Sequence, residues 1–492
     1  MAPLLLPLLC ALGLGPARAA EPQVKLRVDP QLIVDLAHDR PGEDTIDAVT
    51  RFGLWLRVPQ GSGTFFAGAR GQHLVLWGPS GSELDGGGLE AAFELRLDET
   101  GWQGPAGPLW IAAGNLYLPR GALVALSPLD VLNGQDLRAG LATPPEVRRL
   151  PSPAVQLELG QRWIWSATLL PVGAADRVPL WGTDSSLIRQ GMLEGAVQGL
   201  AARPSDPVVD DLYKDIFDAL GQSLQDLDAQ TRRGLEGALL SAGLPSPLLD
   251  AAEVAGGLKG SLGPVDIELM AATLRARRPL IVASPKVQEQ ITAETLPGLA
   301  DLGTLPELLE DPIQLKRPRT GVFGAAASGT AGAFGLKAEG AFTTQRPIQT
   351  AGVGGALSPV VSAAAGVDRT LGTVVTVGLE ARFEHLTAPP PYPLMFSQDD
   401  VLMAAFLDAR LLRQRLSLSG AGLYDLNFSE LALTPHASFA IDDRWRVQLG
   451  ALLVAGPRRA PQTFAEALAY GGGPIGALGD TEHVSVGLSW AR

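Results

Sequence analysis

Lys337, Glu339, Glu380, Arg382, Glu384, Asp408, Arg410, Arg444 and Arg446 stand at alternate positions in runs that are otherwise largely apolar. In an extended chain this spacing puts the charges on one face and their apolar neighbours on the other. Such a face sorts solutes rather than making bonds. Carboxylates and guanidinium groups lining a wet passage set a field that discriminates by charge. The same mixture of signs is equally compatible with a closed, salt-bridged interior, and the spacing leaves both readings open.

The 118–152 connection holds a second group. Asp130, Asp136, Arg138, Glu146, Arg148 and Arg149 give it both signs of charge, and Pro128, Pro144, Pro145 and Pro151 stiffen it. Folded into a lumen, it would oppose acidic to basic side chains across a constriction. Its plainer alternative is a solvated outer loop.

Little in the chain points to catalysis. Five histidines occur, and His436 and His483 fall on the inward face of their strands, so neither belongs to an outward, lipid-facing constellation with a serine and an acid. No G-x-S-x-G elbow and no H-E-x-x-H pair is present. The expectation is therefore no enzyme, no catalytic residue, no metal ligand set and no cofactor.

Positioning the charges requires strands. Leu336, Ala338, Gly340 and Phe342 alternate with Lys337 and Glu339, and Val375, Val377, Leu379, Ala381 and Phe383 with Glu380, Arg382 and Glu384. Period-two segments occur near 24–37, 48–58, 64–77, 88–97, 108–117, 153–159, 162–171, 251–259 and 264–280. They continue near 315–327, 333–344, 356–367, 373–386, 401–411, 415–425, 431–441, 444–456 and 480–491. Tight turns such as Gly160-Gln161 and Asp442-Asp443 alternate with long connections at 118–152, 172–250, 281–314, 387–400 and 457–479. That rhythm and the even strand number suit a closed antiparallel transmembrane β-barrel of about eighteen strands, with fourteen to eighteen allowed. A soluble β-sandwich also alternates, but its strands and connections have no reason to keep this rhythm.

The chain has 492 residues, 46% hydrophobic and 18% charged. Leu4–Leu14 is too short an apolar run for a spanning helix, and Ala17-Arg18-Ala19 supplies a cleavage site, so residues 1–19 read as a signal peptide for Sec export. Residues 20–492 then form one barrel in the outer membrane. Cleavage removes Arg18 and the single cysteine, Cys10, leaving 38 basic against 52 acidic residues, a net charge of −14. Disulfides and thiol chemistry are thereby excluded, and the acidic balance argues against nucleic acid. After the signal no run approaches 18 apolar residues, which leaves a closed barrel as the remaining route into a membrane.

Two connections carry helical signals. Asp206 and Pro207 open a helical pattern that Gly243 and Pro245 stop, within the 172–250 insertion. In the 281–314 insertion Ser284-Pro285 opens a second, and Thr304 with Glu307 forms a capping box for a third. Such segments either decorate the rim or act as a plug or partner-binding cap.

Gly114-Asn115-Leu116-Tyr117-Leu118, followed by Ser127-Pro128-Leu129-Asp130-Val131-Leu132-Asn133, resembles a proteobacterial outer-membrane β-barrel family of unknown function, in the style of alginate-export barrels. Pro171–Leu187, with Trp181-Gly182-Thr183-Asp184, and the Phe334–Phe342 hairpin resemble further parts of it. The resemblance implies a barrel and a transport role, with no established substrate. Together these features predict a porin-like channel or exporter for small solutes, surrounded by outer-membrane lipid and inserted by the barrel-assembly machinery. The alternative is a non-transporting structural or adhesive barrel whose helical loop binds a partner.

Overall fold

The computed structural model describes residues 23–35, 46–77, 89–136, 148–176, 252–278, 280–283, 313–350, 354–390, 397–456, 475 and 482–491. Its first strands are β1 (Gln23–Asp35), β2 (Ile46–Gln60), β3 (Gly63–Trp77), β4 (Leu89–Ala106) and β5 (Leu109–Leu116). A two-residue pair, β6 (Gly134–Gln135) and β7 (Arg149–Leu150), precedes β8 (Ser152–Leu159), β9 (Trp163–Leu170), β10 (Glu253–Leu262) and β11 (Val265–Arg275). Another short pair, β12 (Leu280–Ala283) and β13 (Ile313–Lys316), is followed by β14 (Arg319–Ala331), β15 (Phe334–Thr350), β16 (Gly354–Leu371) and β17 (Val375–Leu386). The chain ends with β18 (Asp399–Leu411), β19 (Leu416–Asp425), β20 (Glu430–Ala440), β21 (Trp445–Ala455) and β22 (His483–Ala491).

Apart from the two short pairs, these strands make one 18-stranded sheet. Each pairs antiparallel with its neighbour in sequence, and β1 pairs with β22, with Val28 opposite Trp490 and Val34 opposite Val484. The barrel is closed, and all eighteen strands expected from alternation are present. The expected helices over 206–243 and from Ser284 and Thr304, like the signal peptide over 1–19, lie outside the described residues.

Exposure separates a barrel from a sandwich. Leu336, Leu379 and Phe383 are 47%, 57% and 42% exposed, whereas Glu339 and Glu380 are 5% and 3% exposed. An outer wall so apolar, with carboxylates inside, is arranged for a non-aqueous surrounding. Closure also leaves no unpaired strand edge to be desolvated.

Tight turns gather at one end of the barrel. Gly61, Gly107, Gly263, Gly332 and Gly372 sit there with φ between +61° and +63°, where a side chain would be strained. The β18–β19 turn instead places Leu412, Arg413 and Gln414 at positive φ. Long connections leave from the other end, and one of them fills part of the interior. A buried apolar cluster joins inward Ala112, Ala154, Ala255, Ala272, Ala326 and Ala341 to Leu118, Leu129 and Leu132 of the β5–β8 connection.

Candidate functional site

The site is the stretch of lumen into which the β5–β8 connection folds, and small side chains on the wall make room for it. A Cβ on Gly324 would lie 2.3 Å from Leu129 Cδ2, and one on Gly366 2.6 Å from Leu123 Cδ2. Leu129 and Leu132 are fully buried against this alanine- and glycine-rich wall. Removing apolar area from water favours the inward course, contributing roughly 1.5–3 kcal/mol for each fully buried leucine.

Two carboxylates hold the turn of the loop. Glu339 on β15 accepts the backbone N–H groups of Ala122 and Leu123, the latter at 2.7 Å, and the Ser127 hydroxyl at 2.6 Å. Glu380 on β17 accepts those of Val124, Ala125 and Leu126 at 2.7, 2.9 and 3.0 Å. Between them, Ala364 and Gly366 of β16 stand opposite Glu339 and Glu380 and leave space for the loop. Five consecutive peptide donors are thus turned toward the wall, and Val124 and Ala125 are exposed on the loop's other side. Gly121 begins this turn at φ +85°, and a Cβ there would lie 2.2 Å from Ser127 Oγ.

Arg277, just beyond β11, secures the next segment. It grips buried Glu253 with both terminal nitrogens, at 2.9 and 2.6 Å, and donates to the carbonyls of Val131 and Leu132 at 2.9 Å each. Arg317 bonds the carbonyls of Ala276 and Gly173. The buried Asn133 side chain accepts from Leu118 N–H at 2.7 Å and donates to the carbonyls of Leu116 and Leu150. Asp176 accepts Gln135 N–H at 2.9 Å; burial pushes its carboxyl up, opposed chiefly by Arg278.

The charged residues read from sequence separate into distinct environments. Asp130 pairs with Arg149 at 2.6 Å, and Asp136 reaches Arg96 on β4 at 2.8 Å. Arg148 lies in the same β5–β8 connection, its carbonyl accepting Asp136 N–H; Arg138 lies outside the described residues. Lys337 pairs with Asp368 at 2.8 Å, and Glu384 lies 2.7 Å from Arg346 and 3.7 Å from Arg382. Arg446 is on the inward face near the turn end, opposite Ser489. Arg444 is in the β20–β21 turn rather than on the wall, its N–H donating to Asp442.

Alternation alone did not single out the wall that faces this loop. Arg27, Gly53, Arg70 and Arg96 form one row across β1 to β4. Arg70 donates to Asp98 at 2.7 Å; this fully buried carboxylate also accepts from Trp55 at 2.8 Å and from the Tyr117 hydroxyl. Arg27 pairs with Asp29 on its own strand. The Lys25/Arg27/Asp29 alternation was a usable signal for this row; the inward glycines and alanines gave none, being neither charged nor large.

No protein-family model matches the chain, and no curated protein matches it in sequence. Among solved structures it is similar to Pseudomonas aeruginosa OccK7 (OpdD), with 10% identity, a TM-score of 0.45 and coverage of 96% of this chain and 99% of that one. Acinetobacter baumannii OccAB4 aligns at 7% identity and TM-score 0.43, covering 97% and 100%. A Rhodopseudomonas blastica porin variant aligns at 10% identity and TM-score 0.35, covering 96% and 100%. At these values the likenesses carry no argument, and the closed barrel stands on its own strand pairing.

Proposed function

We propose that the chain is an outer-membrane pore that passes small solutes through a lumen narrowed by residues 117–136, the strap of the β5–β8 connection. The observation that carries this reading is the seating of five backbone N–H groups of the strap on Glu339 and Glu380 inside a closed barrel. The loop reaches from Glu339 and Glu380 on one wall to Arg96 on β4, which pairs with Asp136, so it crosses and narrows the passage beside the Arg27, Arg70 and Arg96 row. Export through the 1–19 signal and insertion by the barrel-assembly machinery belong to the same proposal. The motif residues that resemble alginate-export-like barrels, Gly114–Leu118 and Ser127–Asn133, fall on β5 and the seated strap.

Purified protein in planar bilayers tests the proposal. The expected result is discrete conductance steps, with a reversal potential in a salt gradient that moves when Arg70 and Arg96 are both replaced by Ser. Absence of conductance at every voltage, with the barrel folded, would favour a non-transporting structural or adhesive barrel.

A further inference from the structure

The strap closes one side of the lumen against the wall. Inward side chains of β5, β8 to β11, β14 and β15 meet Leu118, Leu129 and Leu132 in a single buried apolar cluster. The passage is therefore bounded by β18 to β22 and β1 to β4. On this side, β19 to β22 carry two rows of short polar side chains. Ser417, Ser438, Gln448 and Gly487 stand opposite one another from strand to strand, and the row ends on Gln31 of β1. One step nearer the loops, Ser419, His436, Gly450 and Ser485 form the second row. Both rows face inward: Ser438 and Gln448 are 5% and 9% exposed, whereas Phe439 and Leu449 beside them are 40% and 51% exposed on the outer wall.

Neither row contains Asp, Glu, Lys or Arg. Among the described residues, inward charges on β19 to β22 lie beyond the rows, with Arg446 near the turn end and Asp425 and Glu430 at the loop end. The flanking cations are matched by anions on the spot. Arg27 lies 2.5 Å from Asp29, Arg70 2.7 Å from Asp98, Arg96 2.8 Å from Asp136, and Arg410 3.4 Å from Asp408. Arg51 donates to the Gln31 carbonyl. Opposite charges so close largely cancel each other's field a short distance away.

Such a wall treats solutes unequally. An ion that sheds water against the neutral rows gains no opposite charge in return. A solute hydroxyl loses less, because a serine hydroxyl both donates and accepts in place of water. Ser417, Ser419 and Ser485 are half-buried, and their hydroxyls bond no other described residue.

We infer that the pore passes uncharged polyhydroxylated solutes, sugars and sugar alcohols, ahead of ions of the same size, with Ser417, Ser419 and Ser485 as specificity-determining residues. This rests on the pore reading and narrows it to a solute class. Single, interchangeable hydrogen bonds along the rows hold a solute firmly enough to enter and weakly enough to leave.

Tracer exchange through the full mature chain in lipid vesicles tests the inference with sorbitol, gluconate and protonated glucamine, which share a hydroxylated carbon chain and differ in charge. Equal concentrations inside and outside prevent net movement of charge. The expected result is sorbitol exchanging faster than either ion. Ser419→Ala/Ser485→Ala should slow sorbitol at low concentration by roughly twofold to tenfold for each hydroxyl removed, with gluconate and glucamine unchanged. Heat-modifiable migration confirms that the variant is folded. Gluconate or glucamine exchanging as fast as sorbitol overturns the inference and leaves the pore standing. So does a double variant in which sorbitol is unaffected, or in which all three solutes slow alike. Exchange of none of the three through a folded barrel overturns the pore reading itself, and this inference with it.

Discussion

Replacing Glu380 with Ala removes the acceptor for Val124, Ala125 and Leu126 N–H at once. Hydrogen bonds to charged groups contribute about 1.5–3 kcal/mol each where water cannot replace them, and ordinary ones about 0.5–1.5 kcal/mol. Truncation to Ala empties the space of the carboxylate beside these donors, where water can take its place, so the lower range applies. Three bonds then shift the seated-to-released equilibrium by roughly 1.5–4.5 kcal/mol, about 10- to 10³-fold. Leu129, Leu132, the Arg277 contacts and the Glu339 seat of Ala122, Leu123 and Ser127 stay in place, so only the 124–126 segment should come away. Single-channel recording should show a new, larger conductance level with greater current noise. Limited proteolysis should cut near Val124 in the variant and not in the parent, with heat-modifiable migration unchanged. Conductance and cleavage identical to the parent, even in the Glu339→Ala/Glu380→Ala double variant, would refute the carboxylate seat.

Leu379→Arg puts a charge on the lipid-facing wall and should destabilise the barrel by roughly 2–4 kcal/mol near the bilayer midplane, read by urea unfolding in lipid vesicles. A neutral result would invert the two faces. Arg277→Ala strands the buried Glu253 carboxylate and should cost about 3–5 kcal/mol, visible as a lower midpoint in the same titration. Arg413→Gly relieves one of three consecutive left-handed residues in the β18–β19 turn and should stabilise by about 1–2 kcal/mol.

Much of the wall was legible because a strand needs only period two. Phe383 outward and Glu384 inward follow from their spacing, and so does every strand of the barrel. The strap was partly legible: its prolines and mixed charges marked it as unlike the other connections. What each charge does there was not. Glu339 and Glu380 look like solute-facing charges in the sequence, but the structure covers them with peptide N–H groups from residues more than two hundred positions away. Arg277 reads as one of two adjacent arginines, yet it ties β10 to the strap.

The sequence by itself determined the local decisions: extended chain, which face is apolar, and where the chain turns. These depend on neighbours two residues away and on residues such as Gly332 that suit a left-handed turn. Tertiary structure alone decided the closure of β1 on β22, the inward course of the strap and the division of carboxylates into those that hold the loop and those that line the passage. Each depends on pairings between distant residues, and on the gaps left by Gly324 and Gly366, which acquire meaning only when Leu129 and Leu123 arrive to fill them.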